Sequence, residues 1–277
     1  MNPSCFAPPA RPVLLTGASG NLGRELVARL SARGWRLRLT DIAPFPDEIP
    51  PGASFAAADL NDGAAIRRLA EGCGAIVHFG GLVAYGEFES VLGPNLRGTH
   101  HVFEAARAAG ARVVYASSNH VVGFHERGTR LDADCSLRPD SYYGLSKVMG
   151  EMLARFFWDR NGVQSVSLRI GSCFAEPRQD RMLATWLSRD DLARLVMCSV
   201  NAEHTGCAVV WGASRNAAGW WDADNRARIG WEPLDSADAW AGRVPPPGEG
   251  VAERFQGGGF CAVDYTHPAS RPNEATQ

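Results

Sequence analysis

Three glycines spaced Gly17-x-x-Gly20-x-x-Gly23 separate an apolar run, Val13-Leu14-Leu15-Thr16, from a segment with apolar residues at helical spacing, Arg24 to Leu30. A short continuous apolar run bounded by turn residues predicts a strand buried on both faces. Glycines there let the backbone turn tightly and approach a pyrophosphate, whose charge the free N–H groups and dipole of the following helix offset. Strand, glycine turn and helix together restrict the chain to an α/β fold that opens on a parallel strand. The spacing is not the commoner Gly-x-Gly-x-x-Gly, and by itself it also suits a purely structural turn.

Downstream, strand and helix patterns alternate. A second strand, Trp35 to Thr40, ends in Asp41, and a third, Ser54 to Ala58, is followed by Asp59-Leu60. An acid at the end of the second strand accepts hydrogen bonds from the adenosine ribose hydroxyls and repels a 2′-phosphate, which predicts NAD over NADP. With Pro44 and Pro46 close behind, Asp41 also suits the start of a turn. Asp59 is placed to hold the adenine amino group. The fourth strand, Ala75 to Phe79, is closed by Gly80-Gly81, and Asn95 to Ala109 reads as a helix. A fifth strand, Arg112 to Ala116, leads into Ser117-Ser118-Asn119-His120, and a sixth, Ser165 to Ile170, ends at Gly171-Ser172-Cys173. Right-handed crossovers then give a doubly wound, Rossmann-type parallel sheet, in which ligands bind beyond the carboxyl ends of the strands. Gly17, Asp41, Gly80, Ser118 and Ser172 should share one crevice there.

Tyr143-x-x-x-Lys147 carries the chemistry. Residues four apart share a helix face, so an ammonium can sit near the phenol and favour its ionised form. Such a phenol takes a proton from an alcohol, and beside a nicotinamide the reaction becomes a dehydrogenation. Standing alone the spacing would equally describe an ordinary surface pair.

Composition excludes other classes. The 277 residues are 45% apolar and carry a net charge of -2, without a basic patch or a bilayer-length apolar run, which argues against nucleic acid or membrane as partner. The seven cysteines are scattered and lack Cys-x-x-Cys spacing, as expected of reduced thiols in a cytoplasmic protein. His100-His101 has no metal-ligand spacing with an acid or cysteine, so no metal is expected. The proline-rich residues 1–11 and residues 267–277 read as loose tails around one domain, 12–266. Ser188-Arg189-Asp190-Asp191 reads as a structural capping box opening a helix to Val200. The tryptophans of the C-terminal third suit core or subunit contacts better than sugar stacking, which leaves a homo-oligomer open.

In their order, Gly17-x-x-Gly20-x-x-Gly23, Asp41, Asp59-Leu60, Ser118 and Tyr143-x-x-x-Lys147 resemble the extended branch of the short-chain dehydrogenase/reductase superfamily over residues 12–175. Within that branch the chain is similar to the uronate dehydrogenases at His78-Phe79-Gly80-Gly81, Arg169-Ile170-Gly171-Ser172-Cys173, Arg181-Met182-Leu183-Ala184-Thr185-Trp186 and Arg254-Phe255-Gln256-Gly257-Gly258. The resemblance implies oxidation of galacturonate or glucuronate at C1, with NAD as acceptor. It implies cofactor contacts from Gly17, Gly20, Asn21, Leu22, Gly23, Asp41, Ile42, Asp59, Leu60, Gly80, Lys147 and Cys173. Catalysis falls to Tyr143, Lys147 and Ser118, and the sugar to Ser118, Asn119, His120, Ser172 and Arg181, with His120 a donor rather than a base. A guanidinium fork matches the uronate carboxylate, although Arg181 beside Asp180 otherwise reads as a solvated loop residue. The stretch after the sixth strand is short for a sugar-nucleotide domain, so 172–266 is expected to form a small substrate-side cap.

The chain departs from the family where a serine is expected two residues after Gly80-Gly81: Val83 stands there, with Tyr85 nearby to compensate. Two other functions share these motifs. A sugar-nucleotide epimerase or dehydratase would need a basic pyrophosphate pocket, for which the C-terminal part offers only Arg226 and Arg228. A non-catalytic NAD sensor would be expected to lack Tyr143 or Lys147, and both are present.

Overall fold

The computed structural model describes residues 3–83 and 87–267. Its strands are β1 (Val13–Thr16), β2 (Leu37–Thr40), β3 (Ala53–Phe55), β4 (Ala75–His78), β5 (Arg112–Ser118), β6 (Ser165–Ile170) and β7 (Cys207–Gly212). They form one parallel sheet in the order β3-β2-β1-β4-β5-β6-β7. The chain runs outward from β1 to β3 and then crosses to the other side of β1, so the strand order reverses between β1 and β4. Loops diverge at that point and open a crevice at the carboxyl ends of the strands.

Alternation along each strand divides the core. Val13 and Leu15 face one side, packing with α1 (Asn21–Ser31); Leu14 and Ile76 face the other, packing with α2 (Gly63–Ala70). After α3 (Phe88–Val91), α4 (Gly98–Ala109) and α5 (Tyr142–Asn161) complete that second side through Phe103 and Phe157, whose rings stack at 5.4 Å. Beyond α6 (Asp180–Thr185), α7 (Arg189–Asn201) packs on the first side with α1. Ser188 caps α7 by accepting from the Asp191 amide at 2.8 Å, the structural role expected of this motif. Among the described residues no helix is long and apolar enough to cross a membrane.

Three features differ from expectation. The seventh strand, Cys207–Gly212, was not anticipated; Ala208-Val209-Val210 signals it and pairs with β6. The helix expected from Asn95 begins at Gly98, because Leu92–Arg97 is wound as a π-helix around Pro94, which has no amide hydrogen to give. The N-terminal segment is docked rather than loose. Pro3–Phe6 forms a 3-10 turn in which Cys5 is buried, and Asn201 Nδ2 donates to the carbonyls of Cys5 and Ala7 at 2.8 and 2.9 Å. Apolar Cys5 and Phe6 cover the first core, and that burial together with the Asn201 tether outweighs the proline content. Of the tryptophans in the C-terminal third, Trp211 and Trp231 are buried in the core, Trp211 stacks on Trp221 at 4.8 Å, and Trp220, Trp221 and Trp240 are half-buried.

Candidate active site

Backbone builds one end of the crevice. Gly17 has φ +73°, and a Cβ there would lie 2.5 Å from the Gly80 amide nitrogen; at Gly23 it would lie 2.0 Å from the Gly17 carbonyl oxygen. Both positions therefore require glycine. No side chain caps the start of α1 at Gly20, which leaves the amides at Asn21, Leu22 and Gly23 for a ligand. Asp41 closes the pocket from β2, accepting from the Ser19 and Ala43 amides at 3.1 Å each. Ile42 lies 73% exposed on the rim, while Asp59, Leu60 and Gly80 line the floor. This backbone cradle fits a pyrophosphate, and the carboxylate at the ribose position fits NAD.

The crevice continues past Gly17 and Gly20 to the second end, where Ser118, Asn119, His120, Tyr143, Lys147, Ser172, Cys173 and Arg181 share one cleft. Ser118 ends β5, and Ser141 caps α5 by accepting from the Gly144 amide, presenting Tyr143 and Lys147 on successive turns. Lys147, the single lysine of the chain, places Nζ 5.6 Å from the centre of the Tyr143 ring and 5.0 Å from that of Tyr115. Burial pushes the Tyr143 phenol up to about 12, opposed by its hydrogen bond with Ser118, and burial pushes Lys147 down to about 8. Desolvation is the first cause at both groups and favours their neutral forms. Burial also pushes the Cys173 thiol up to about 12, leaving an unreactive wall.

Arg181 corrects the solvated-loop alternative: it lies on α6 and is only 8% exposed. Its Nη1 donates to the Gln256 carbonyl at 2.8 Å and its Nη2 to Ser172 Oγ at 3.2 Å. Among the described residues no carboxylate pairs with it. Burial and then Arg127 push the guanidinium down to about 10, opposed by the more distant Asp140 and Glu253. Asn119 Nδ2 is also buried without a hydrogen-bond partner among the described residues, a donor open to a ligand. Val83 lines the same cleft, and Tyr85 lies outside the described residues.

Sequence reasoning missed three contributors. Asn95, on the π-helical turn, bonds the Leu82 amide and carbonyl and Ser146 Oγ, tying the loop after β4 to α5; its place in an apparently ordinary helix gave no signal. Asp140 lies 2.6 Å from His120 Nδ1, although Pro139-Asp140-Ser141 reads only as a turn before a helix. Gly257, Gly259 and Phe260 return from the C-terminus to close the cleft. No group of acids, histidines and cysteines able to hold a metal occurs among the described residues, and His101 instead bonds the Leu60 carbonyl.

Residues 13–235 match the NAD dependent epimerase/dehydratase family. The chain is 44% identical over 260 residues to the uronate dehydrogenase of Pseudomonas putida, covering 92% of this chain and 97% of that one. A crystal structure of uronate dehydrogenase from Agrobacterium tumefaciens, a mutant complexed with NAD, superposes with a TM-score of 0.87 at 42% identity, covering 91% of this chain and 97% of the other. The glucuronic acid dehydrogenase of Chromohalobacter salexigens superposes with a TM-score of 0.86 at 38% identity, with coverage of 91% and 97%.

Proposed function

The chain belongs to the NAD dependent epimerase/dehydratase family and, within it, to the uronate dehydrogenases, and from that premise we propose that it oxidises the anomeric hydroxyl of galacturonate or glucuronate with NAD, giving an aldaric acid lactone. The observation that carries the substrate class is Arg181, a buried guanidinium without an anion in the cleft that holds Tyr143 and Lys147. A sugar carboxylate provides the missing charge, and the planar fork fixes its orientation through paired hydrogen bonds.

Bound oxidised NAD supplies the hydride acceptor and a positive charge in the cleft. The turn from Gly17 to Gly23 holds the pyrophosphate, Asp41 and Ile42 the adenosine ribose, and Asp59 and Leu60 the adenine. Tyr143 Oη receives the proton of the anomeric hydroxyl, and Ser118, already bonded to that phenol, orients the reacting oxygen. Lys147 lies beside the phenol, where its charge favours the ionised form. Ser172 fixes Arg181 from one side and the Gln256 carbonyl from the other, so the carboxylate site keeps its place relative to Tyr143. Of the described residues lining the sugar end, Lys147 and Arg181 are the cations, which supports a single carboxylate over a sugar-nucleotide pyrophosphate.

The same reading places the enzyme in the cytoplasm, supported by seven free cysteines. Purified protein with NAD, assayed by NADH absorbance on both uronates, their neutral parent sugars and UDP-sugars, tests it. NADH should form with the uronates alone, and no NADH with either uronate would overturn the proposal.

A further inference from the structure

Asp140 has no part in the reaction described so far, yet three chain segments are shaped around it. Its side chain is fully buried, with Oδ2 2.6 Å from His120 Nδ1. Its Oδ1 accepts the Ser141 hydroxyl at 2.8 Å; the Ser141 oxygen itself accepts the Gly144 amide at 3.0 Å, so its hydrogen is directed to Asp140. The Cys261 sulfur lies 3.8 Å from Oδ2 and 3.3 Å from the Gly123 carbonyl oxygen. A Cβ on Gly123 or Gly257 would fall 1.9 or 2.0 Å from Oδ2, and one on Gly144 would fall 3.1 Å from Oδ1. Glycines at these places allow the backbone to enclose the carboxylate without displacing it. His120 is fixed as tightly, with the Phe260 ring 4.0 Å from its own and the Tyr143 ring edge-on at 5.8 Å.

One hydrogen lies between Asp140 and His120. Both Asp140 oxygens are engaged as acceptors, Oδ1 by the Ser141 hydroxyl and Oδ2 by His120, so the hydrogen belongs to Nδ1. A neutral imidazole has one donor and one acceptor, and the second nitrogen, Nε2, is then an acceptor. Asn119 Nδ2, Arg181 and Lys147 are strong donors and none of the described residues lining the cleft is an acid, so its other side-chain acceptors are hydroxyl and amide oxygens. A sugar hydroxyl held by such donors still has a hydrogen of its own to give.

We propose that Asp140 is a positioning residue that keeps the His120 hydrogen on Nδ1, so that Nε2 accepts a hydroxyl hydrogen from the bound sugar acid; the sugar part of this rests on the uronate reading above. His120 then selects the polyol as an acceptor, neither the donor expected from the sequence nor a base. The first test needs no variant of Asp140. In long-range 1H–15N spectra of histidine-labelled wild type, with His120 assigned by its loss in His120→Asn, the Nδ1–H tautomer is expected at the assay pH. An Nε2–H or imidazolium pattern overturns the proposal. Asp140→Asn should raise KM for the uronate about tenfold, the effect of one hydrogen bond, with kcat and NAD affinity within about twofold; an unchanged uronate KM overturns it. Added to His120→Asn, the same substitution should cost nothing more, and a further additive loss overturns it. If the variant fails to fold, the wild-type spectrum decides. If wild type oxidises no uronate, the functional reading falls while the tautomer measurement still stands or fails by itself.

Discussion

At the dinucleotide end of the crevice the glycine turn between β1 and α1 offers backbone, framed by residues at the ends of β2, β3 and β4. At the sugar end the walls are buried side chains from β5, α5, β6 and α6, closed by a segment that returns from the C-terminus. A backbone cradle offers amides that any nucleotide pyrophosphate satisfies, so it binds a common cofactor and says little about the reaction. Side chains such as Tyr143, Asn119 and Arg181 each carry one chemistry at one place, so the proposed function assigns substrate and reaction to that end. The two ends should therefore fail in different ways when altered.

The largest effect is expected at the sugar end. Tyr143→Phe should lower kcat by about three to four orders of magnitude while NAD still binds as in wild type, measured by NADH formation and by titration calorimetry. Retained turnover would remove the proton-accepting role from Tyr143. Next comes the cradle: Gly23→Ala would drive its methyl group into the Gly17 carbonyl, and NAD affinity should fall about a hundredfold, with a lowered Tm, whichever sugar is offered. Unimpaired NAD binding would show that the turn relaxes, and that the cradle is less rigid than its geometry implies. Third, Arg181→Ala should raise uronate KM about fiftyfold, with no gain for neutral sugars, since a charged hydrogen-bond partner contributes roughly 1.5–3 kcal/mol. Equal KM before and after would detach the carboxylate from Arg181. The smallest expected effect is at Val83, which lines the cleft where the resemblance leads one to expect a serine. Val83→Ser should lower uronate KM by about threefold, and an unchanged value would show that the sugar does not reach this wall.

The same contrast explains what the sequence made legible. The dinucleotide end depends on glycines and acids at fixed distances along the chain, so Gly17, Gly23, Asp41 and Asp59 were identifiable from local order. Tyr143 and Lys147 were legible because four residues make one helical turn. The sheet was visible through its apolar runs up to β6, while β7 was passed over beside the tryptophan-rich stretch. Asp140 and Phe260 carry no local pattern, and only the fold brings them to His120 across long stretches of chain. Asn95 escaped because a π-helical turn has no distinct sequence signature. The protonation of Tyr143 and Lys147 was not legible, because spacing conveys proximity but not burial, and burial is the first cause acting on both groups.

Lys147 is the single lysine among 277 residues, and every other long basic side chain is an arginine. Amine chemistry on this protein therefore has one internal address, next to the N-terminal amine. Reductive methylation with 13C-formaldehyde would install an isotopic reporter inside the cleft, and its resonance should titrate near the value of about 8 that burial imposes on this ammonium. The same exclusivity confines amine acylation of the side chains to one point inside the cleft, while the arginine-covered surface stays chemically unchanged.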